Sequence, residues 1–305
     1  MAQKKHPILT VAVILCVVAL FLGITMVIVL RLFSPSSSLS FGDKIGVIPI
    51  DGDISQSIDI TTELVRMKKD TRIKAIILRI NSPGGSVGPT QEIYREIRKT
   101  IQTKKIVASM GSVAASGGYY IAAGADKIVA NPGTITGSIG VIMHFVRLEE
   151  LLNKIGIGLE VLKSGEFKDI GSPNRELTER EKELLNALIA DIQRQFEEGV
   201  AEGRNLPLEK VRQIADGRIF SGAQAKELGL VDVLGNFQDA VEIAKNLAGI
   251  KGDVTLVYPE NDRLELWDLV FDAAAGSVSK LLQRMKTRVE YRWGGFAEHR
   301  AKESY

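Results

Sequence analysis

Ser116 stands in Ala114-Ala115-Ser116-Gly117-Gly118-Tyr119-Tyr120, flanked by small residues where a β-branched run gives way to a helix. A serine at a strand-to-helix turn can expose its hydroxyl at the helix N-terminus, and acyl transfer is the chemistry that suits it. The Gly117 N–H and those of Gly84 and Gly85, in Asn81-Ser82-Pro83-Gly84-Gly85-Ser86, can converge on a developing oxyanion. Residues 84–140 hold ten of the 29 glycines, so backbone N–H groups there can approach a ligand closely. A phosphate cradle is the competing use of such loops. Neither G-x-x-x-x-G-K-[ST] nor a G-x-G-x-x-G following a strand is present. Taken alone, Ser-Gly-Gly still reads first as a tight turn.

The elements that would position these residues repeat along the chain. Lys44, Lys74, Lys105 and Lys127 each open a short β-branched run that ends at turn residues, the pattern of a buried strand feeding a loop. Between the first three lie helical stretches such as 87–101, with Ile93, Ile97 and Ile101 on one face. Strands alternating with helices imply crossovers and a largely parallel, doubly covered sheet, so the fold class is α/β. Both glycine loops then fall at the carboxyl ends of strands, where parallel sheets bind ligands. Further on, Thr178 with Glu181 forms a capping box ahead of Leu184, Leu185, Leu188 and Ile192. Pro207 and Gly235-Asn236 mark the starts of two more helices.

Composition narrows the function classes. Of 305 residues, 39 are Lys or Arg and 37 Asp or Glu, a formal charge of +2 without the basic surplus of a nucleic-acid binder. A single cysteine, Cys16, excludes an internal disulfide framework, and three histidines (His6, His144, His299) make a metal centre unexpected. No cofactor is expected.

Residues 8–30 carry no charge, follow Lys4 and Lys5, and precede Arg31. A helix of that length spans about 34 Å, enough for a bilayer core of about 30 Å. It is longer than the apolar stretch of a cleaved signal peptide, so an uncleaved anchor is expected, with the N-terminus cytoplasmic and the body of the protein outside. The expected organisation is therefore an N-terminus and anchor at 1–33, a Ser/Pro linker at 34–42, a catalytic domain at 43–250, and a C-terminal strand, amphipathic helix and basic tail at 251–305. In the last region Leu264, Trp267, Leu269, Val270 and Phe271 suggest the amphipathic helix, and residues 280–305 hold seven Lys or Arg against three Glu. A solvated tail is the plain reading of that segment, and a membrane-surface or subunit contact the sharper one.

Several motifs in order carry a resemblance. Asn81-Ser82-Pro83-Gly84-Gly85, Ala115-Ser116-Gly117-Gly118-Tyr119-Tyr120, Thr136-Gly137-Ser138-Ile139-Gly140-Val141 and Lys163-Ser164-Gly165-Glu166-Phe167-Lys168-Asp169-Ile170-Gly171-Ser172-Pro173 resemble the signal peptide peptidase A family. These are bacterial membrane-anchored Ser/Lys peptidases of family S49 on a Clp/crotonase-like ββα spiral. The resemblance runs from about Lys44 to Ala248 and is similar to the short, single-repeat form. It implies that Ser116 is the nucleophile, Lys168 the general base and Ser138 a hydroxyl orienting the lysine, with the Gly85 and Gly117 N–H groups as oxyanion hole. It also implies an endopeptidase of the bacterial cytoplasmic membrane that degrades cleaved signal peptides on the extracytoplasmic side. Longer members divide serine and lysine between tandem repeats, so a single-repeat chain is expected to share its sites between copies in a ring.

Lys168 must be neutral to accept the serine proton, whereas a free lysine titrates near 10.4, so an apolar, carboxylate-poor pocket is expected around it. On an extended segment Asp169 would face away from Lys168, Glu166 would share its face, and Glu166 is expected to turn elsewhere. Lys163 is the internal rival as base. His144, 28 residues after Ser116, is the rival from a histidine triad. Two other functions remain open to the sequence: a crotonase-type acyl-CoA enzyme, and a catalytically silent membrane scaffold.

Overall fold

The computed structural model describes residues 17–26, 43–259 and 289–292. The chain divides into two units, 1–42 and 43–305. Within the first, residues 17–26 are helical (α1) and expose apolar side chains including Leu20, Phe21 and Leu22. Among the described residues no helix is long and apolar enough to cross a membrane. The rest of the expected span at 8–30 lies outside them, as do the linker at 34–42 and the amphipathic helix around Trp267.

The second unit begins with β1 (Lys44–Ile54), α2 (Ile58–Lys69), β2 (Ile73–Ser86), α3 (Val87–Thr100), β3 (Lys105–Ala115), α4 (Gly117–Ala123) and β4 (Lys127–Ala130). Short elements follow: β5 (Ile135–Gly137), β6 (Ile142–Met143) and α5 (Glu149–Lys154). Then come the long α6 (Glu179–Arg204), α7 (Leu208–Arg212), β7 (Ile219–Ser221), α8 (Gly222–Glu227), β8 (Val233–Leu234), α9 (Phe237–Ala248), β9 (Thr255–Val257) and β10 (Val289–Arg292).

Strands β9, β1, β2, β3, β4 and β8 lie side by side, all parallel. Their β-branched runs are apolar at successive positions because helices cover both faces. Ile48, Ile50, Ile76, Leu78 and Ile80 face one core with Tyr119, Tyr120 and Phe196, whereas Ile45, Val47, Ala75 and Ile77 face a second core under α9. The α/β class with a mostly parallel sheet agrees with the expectation from sequence.

Two strand ends differ from that expectation. The sequence pattern predicts a loop over Asn81 to Ser86, yet β2 continues through it, with Asp53 and Ile54 of β1 in register with Gly84 and Gly85. On the other side Gly84–Ser86 pair antiparallel with residues 290–292 of β10. Likewise β3 does not stop at Gly111 but runs on to Ala115, where it pairs with β5. Pairing partners distant in sequence override the local turn preference of glycine. Gly85 is needed for this: a Cβ there would sit 2.3 Å from the Ile54 carbonyl oxygen.

The helix after Ser116 is held from below. Tyr120 packs edge-on against Phe196 of α6 at 4.9 Å between ring centroids and against Tyr94 of α3 at 4.6 Å. Phe196 is 0% exposed. Phe196→Ala is therefore expected to cost about 3–5 kcal/mol, as large-to-small core substitutions do. Chemical denaturation checks this, and a loss below about 1 kcal/mol would show that α4 is not held through this contact.

Candidate active site

Ser116 is the residue between β3 and α4, and its backbone is strained, at φ 53°, ψ −118°. Among the described non-glycine residues only Ser116, Ser138 and Asn205 have positive φ. Asn205 is the left-handed cap that commonly ends a helix, here α6. The two serines have no such ordinary explanation, and backbone strain of this kind collects at functional sites.

They are also neighbours. Ala115 of β3 pairs with Gly137 of β5, so Ser116 and Ser138 each follow one member of a parallel pair. The Ser116 N–H donates to the Gly137 carbonyl at 2.8 Å, and the Ser138 N–H to the Arg218 carbonyl at 2.8 Å. Ser116 is 1% exposed, and its Oγ has no hydrogen-bond partner among the described residues. Gly118 approaches so closely that a Cβ on it would lie 2.8 Å from the Ser82 carbonyl oxygen. Ser82 pairs with Ala114, which brings the Gly84-Gly85 segment up beside the turn at Ser116. A groove of about 540 Å³ opens next to Ser138, walled by Val141, Ile142, Ile189 and Ala190.

Holding Ser116 at this φ and ψ costs on the order of 1–3 kcal/mol. Glycine adopts positive φ freely, although its unfolded chain is more flexible. Ser116→Gly should thus be more stable than Ser116→Ala, which likewise lacks the hydroxyl but keeps the Cβ, by about 1 kcal/mol. Equal unfolding midpoints for the two variants would rule out strain at this turn.

Lys168 lies in a different setting. Residues 164–171 are not extended. Lys168, Ile170 and Ser172 each donate their N–H to the carbonyl three residues back, Gly165, Phe167 and Asp169, folding the segment into consecutive turns. Alternation of faces therefore does not apply here. Lys168 is exposed within one chain, not sunk in an apolar pocket, and no hydrogen bond or ion pair joins its side chain to Ser116 or Ser138. Its flanking carboxylates are engaged elsewhere. Glu166 accepts from Arg180 Nη1 at 2.8 and 3.0 Å. Asp169 accepts from Lys163 Nζ at 2.7 Å and from Arg175 Nε and Nη2 at 3.0 and 2.7 Å. These partners hold the Asp169 carboxyl far below its usual range.

The rivals fare differently. Lys163 Nζ is engaged elsewhere, donating to Asp169 at 2.7 Å and to the Glu166 carbonyl at 3.0 Å. His144 is exposed just after β6, and no carboxylate is hydrogen-bonded to it among the described residues. No sequence motif marks Arg175. The signal is its spacing, because it stands six residues from both Asp169 and Glu181, the two carboxylates it bridges.

A serine on a strained strand-to-helix turn, at the carboxyl end of a parallel sheet, is the stereochemistry with which hydrolases expose a nucleophile. Comparison with known proteins gives the class its name. Residues 98–251 match the model of peptidase family S49, and residues 43–134 that of Clp protease. "Putative protease slr0021" of Synechocystis is 48% identical over 211 residues, covering 69% of this chain and 76% of that protein. "Putative signal peptide peptidase SppA" of Enterococcus faecium is 39% identical over 202 residues, 66% of this chain and 58% of that one. "Protease 4" of Salmonella typhi is 38% identical over 226 residues, 73% of this chain but 36% of that protein. The chain belongs to peptidase family S49, and it is a serine peptidase.

Proposed function

We propose that the protein is a membrane-anchored endopeptidase that cuts apolar, extended peptides, cleaved signal peptides among them, on the extracytoplasmic side of the bacterial cytoplasmic membrane. Ser116 Oγ attacks the scissile carbonyl. Lys168 removes its proton and later activates the water that releases the acyl-enzyme. Ser138 orients the lysine, and the Gly85 and Gly117 N–H groups stabilise the oxyanion. Residues 8–30 anchor the chain and 34–42 tether the domain near the bilayer, where such peptides lie. The single observation that carries the reading is the Ser116 turn, strained and buried with a hydroxyl that has no hydrogen-bond partner among the described residues.

The dyad is completed between copies of the chain. A lysine must be neutral to act as a base, and desolvation is what favours the neutral form. A second copy that covers Lys168 would supply that desolvation. The surface around it suits such a contact. Leu151, Ile155, Ile157, Leu159, Val161 and Leu162 are all exposed, Leu162 by 93%, a run of apolar side chains that a monomer in water rarely leaves bare. Leu184 and Leu188 on α6 are exposed as well. Head-to-tail contacts of this kind are heterologous, and a rotation that closes makes them a ring.

Labelling with a fluorophosphonate tests the nucleophile. The adduct should map by mass spectrometry to Ser116, and Lys168→Ala should slow its formation. Labelling confined to another serine would refute the assignment.

A further inference from the structure

We propose that Arg175 is a positioning residue for the base: it pins the turn carrying Lys168 to the start of α6 and holds the neighbouring Asp169 carboxylate away from the lysine. This rests on the reading of Lys168 as the base.

Arg175 binds two carboxylates at once. Nε and Nη2 donate to Asp169 Oδ2 and Oδ1 at 3.0 and 2.7 Å, while Nη1 and Nη2 donate to Glu181 Oε2 and Oε1 at 2.8 and 2.5 Å. Both contacts are fork-to-fork pairs, which fix direction as well as distance. Glu181 is a firm anchor. It is 1% exposed, and its Oε2 accepts the Thr178 N–H in the capping box of α6. Arg175 and that N–H hold the Glu181 carboxyl down at about 2. The guanidinium thus ties the residue next to Lys168 to a buried group that cannot move.

Charge follows the same geometry. On the turn itself are Lys163, Glu166, Asp169, Arg175 and Glu176; on the first turn of α6, Glu179, Arg180, Glu181 and Lys182; on the segment that bonds to Pro173, His144, Arg147 and Glu149. Nearly every charge is paired: Arg180 with Glu166, Lys182 with Glu179, Arg147 with Glu149 and Glu176. Lys163, Arg175, Asp169 and Glu181 form a neutral set of two cations and two anions. Among the described residues Lys168 is left without a carboxylate of its own. Remove Arg175 and the set becomes net negative, with Asp169 one residue from Lys168 and held only by Lys163. A carboxylate that swings onto the lysine favours its ammonium form and takes the base out of use at neutral pH.

The pH profile of kcat/KM for the full chain on an apolar peptide tests this. Arg175→Gln should move the alkaline-rising limb up by about one unit, so that activity at pH 7 falls about tenfold and returns at higher pH. Adding Asp169→Asn to that variant should bring the limb back, and Arg175→Lys should shift it less, because lysine keeps the charge but not the fork. A uniform loss at every pH with the limb unmoved would overturn the proposal and leave Arg175 a purely structural residue. Should Arg175→Gln not fold, Asp169→Asn alone decides: it removes the carboxylate next to Lys168 and leaves Lys163 without its partner while Arg175 stays on Glu181, so the limb should move down, and an unmoved or raised limb refutes the idea. Lys168→Ala, run alongside, separates the readings, because retained activity there defeats the base itself and not only the clamp.

Discussion

Ser116→Ala and Lys168→Ala should each lower kcat/KM by about 10⁴-fold or more, with KM little changed and the fold intact. A factor of 10⁴ is roughly 5 kcal/mol of transition-state stabilisation, the scale seen when one member of a nucleophile–base unit is removed. Stability should not follow activity. Ser116 Oγ is buried without a hydrogen-bond partner among the described residues, so its deletion removes an unsatisfied group and leaves none behind. Lys168 is exposed, and surface substitutions usually move stability by less than about 0.5 kcal/mol. The two residues act as one unit, so the double variant should be no worse than the poorer single one. Near-normal hydrolysis by Lys168→Ala together with its loss in His144→Ala would transfer the role of base to the histidine.

The same residues mark what the sequence could and could not disclose. The strand starts at Lys44, Lys105 and Lys127 coincide with those observed, and β2 begins one residue before Lys74. Apolar runs of β-branched residues need two covered faces, and that requirement is local enough to read. The ends were not readable, because Gly84 and Gly85 carry turn propensity and only their partners, Asp53, Ile54 and residues 290–292, keep them in the strand. The capping boxes at Thr178 and Asn236 were legible or nearly so, since each depends on residues within one turn.

At the site, residue types raised Ser116 as a candidate and the family resemblance added Ser138, but their shared positive φ belongs to the backbone and appears only in three dimensions. The face argument for Glu166 and Asp169 assumed an extended chain and fails on a turn, although Glu166 does face elsewhere, toward Arg180. The apolar pocket expected around Lys168 is not formed among the described residues, where Lys168 is exposed.

Sharing of the dyad between copies is the central claim, and complementation tests it most directly. Full-length Ser116→Ala and Lys168→Ala proteins, each inactive alone, are dissociated, mixed in equal amounts and reassembled, and mixed assembly is verified with two affinity tags. Where serine and lysine come from adjacent copies, a site works when a chain with intact Ser116 meets a neighbour with intact Lys168. Random mixing places such a pair at about a quarter of the interfaces of a closed ring. The account predicts recovery of about a quarter of the wild-type activity per chain; verified mixed assemblies that stay at the background of the single variants would contradict it, and each chain would then have to close its own Ser116–Lys168 pair.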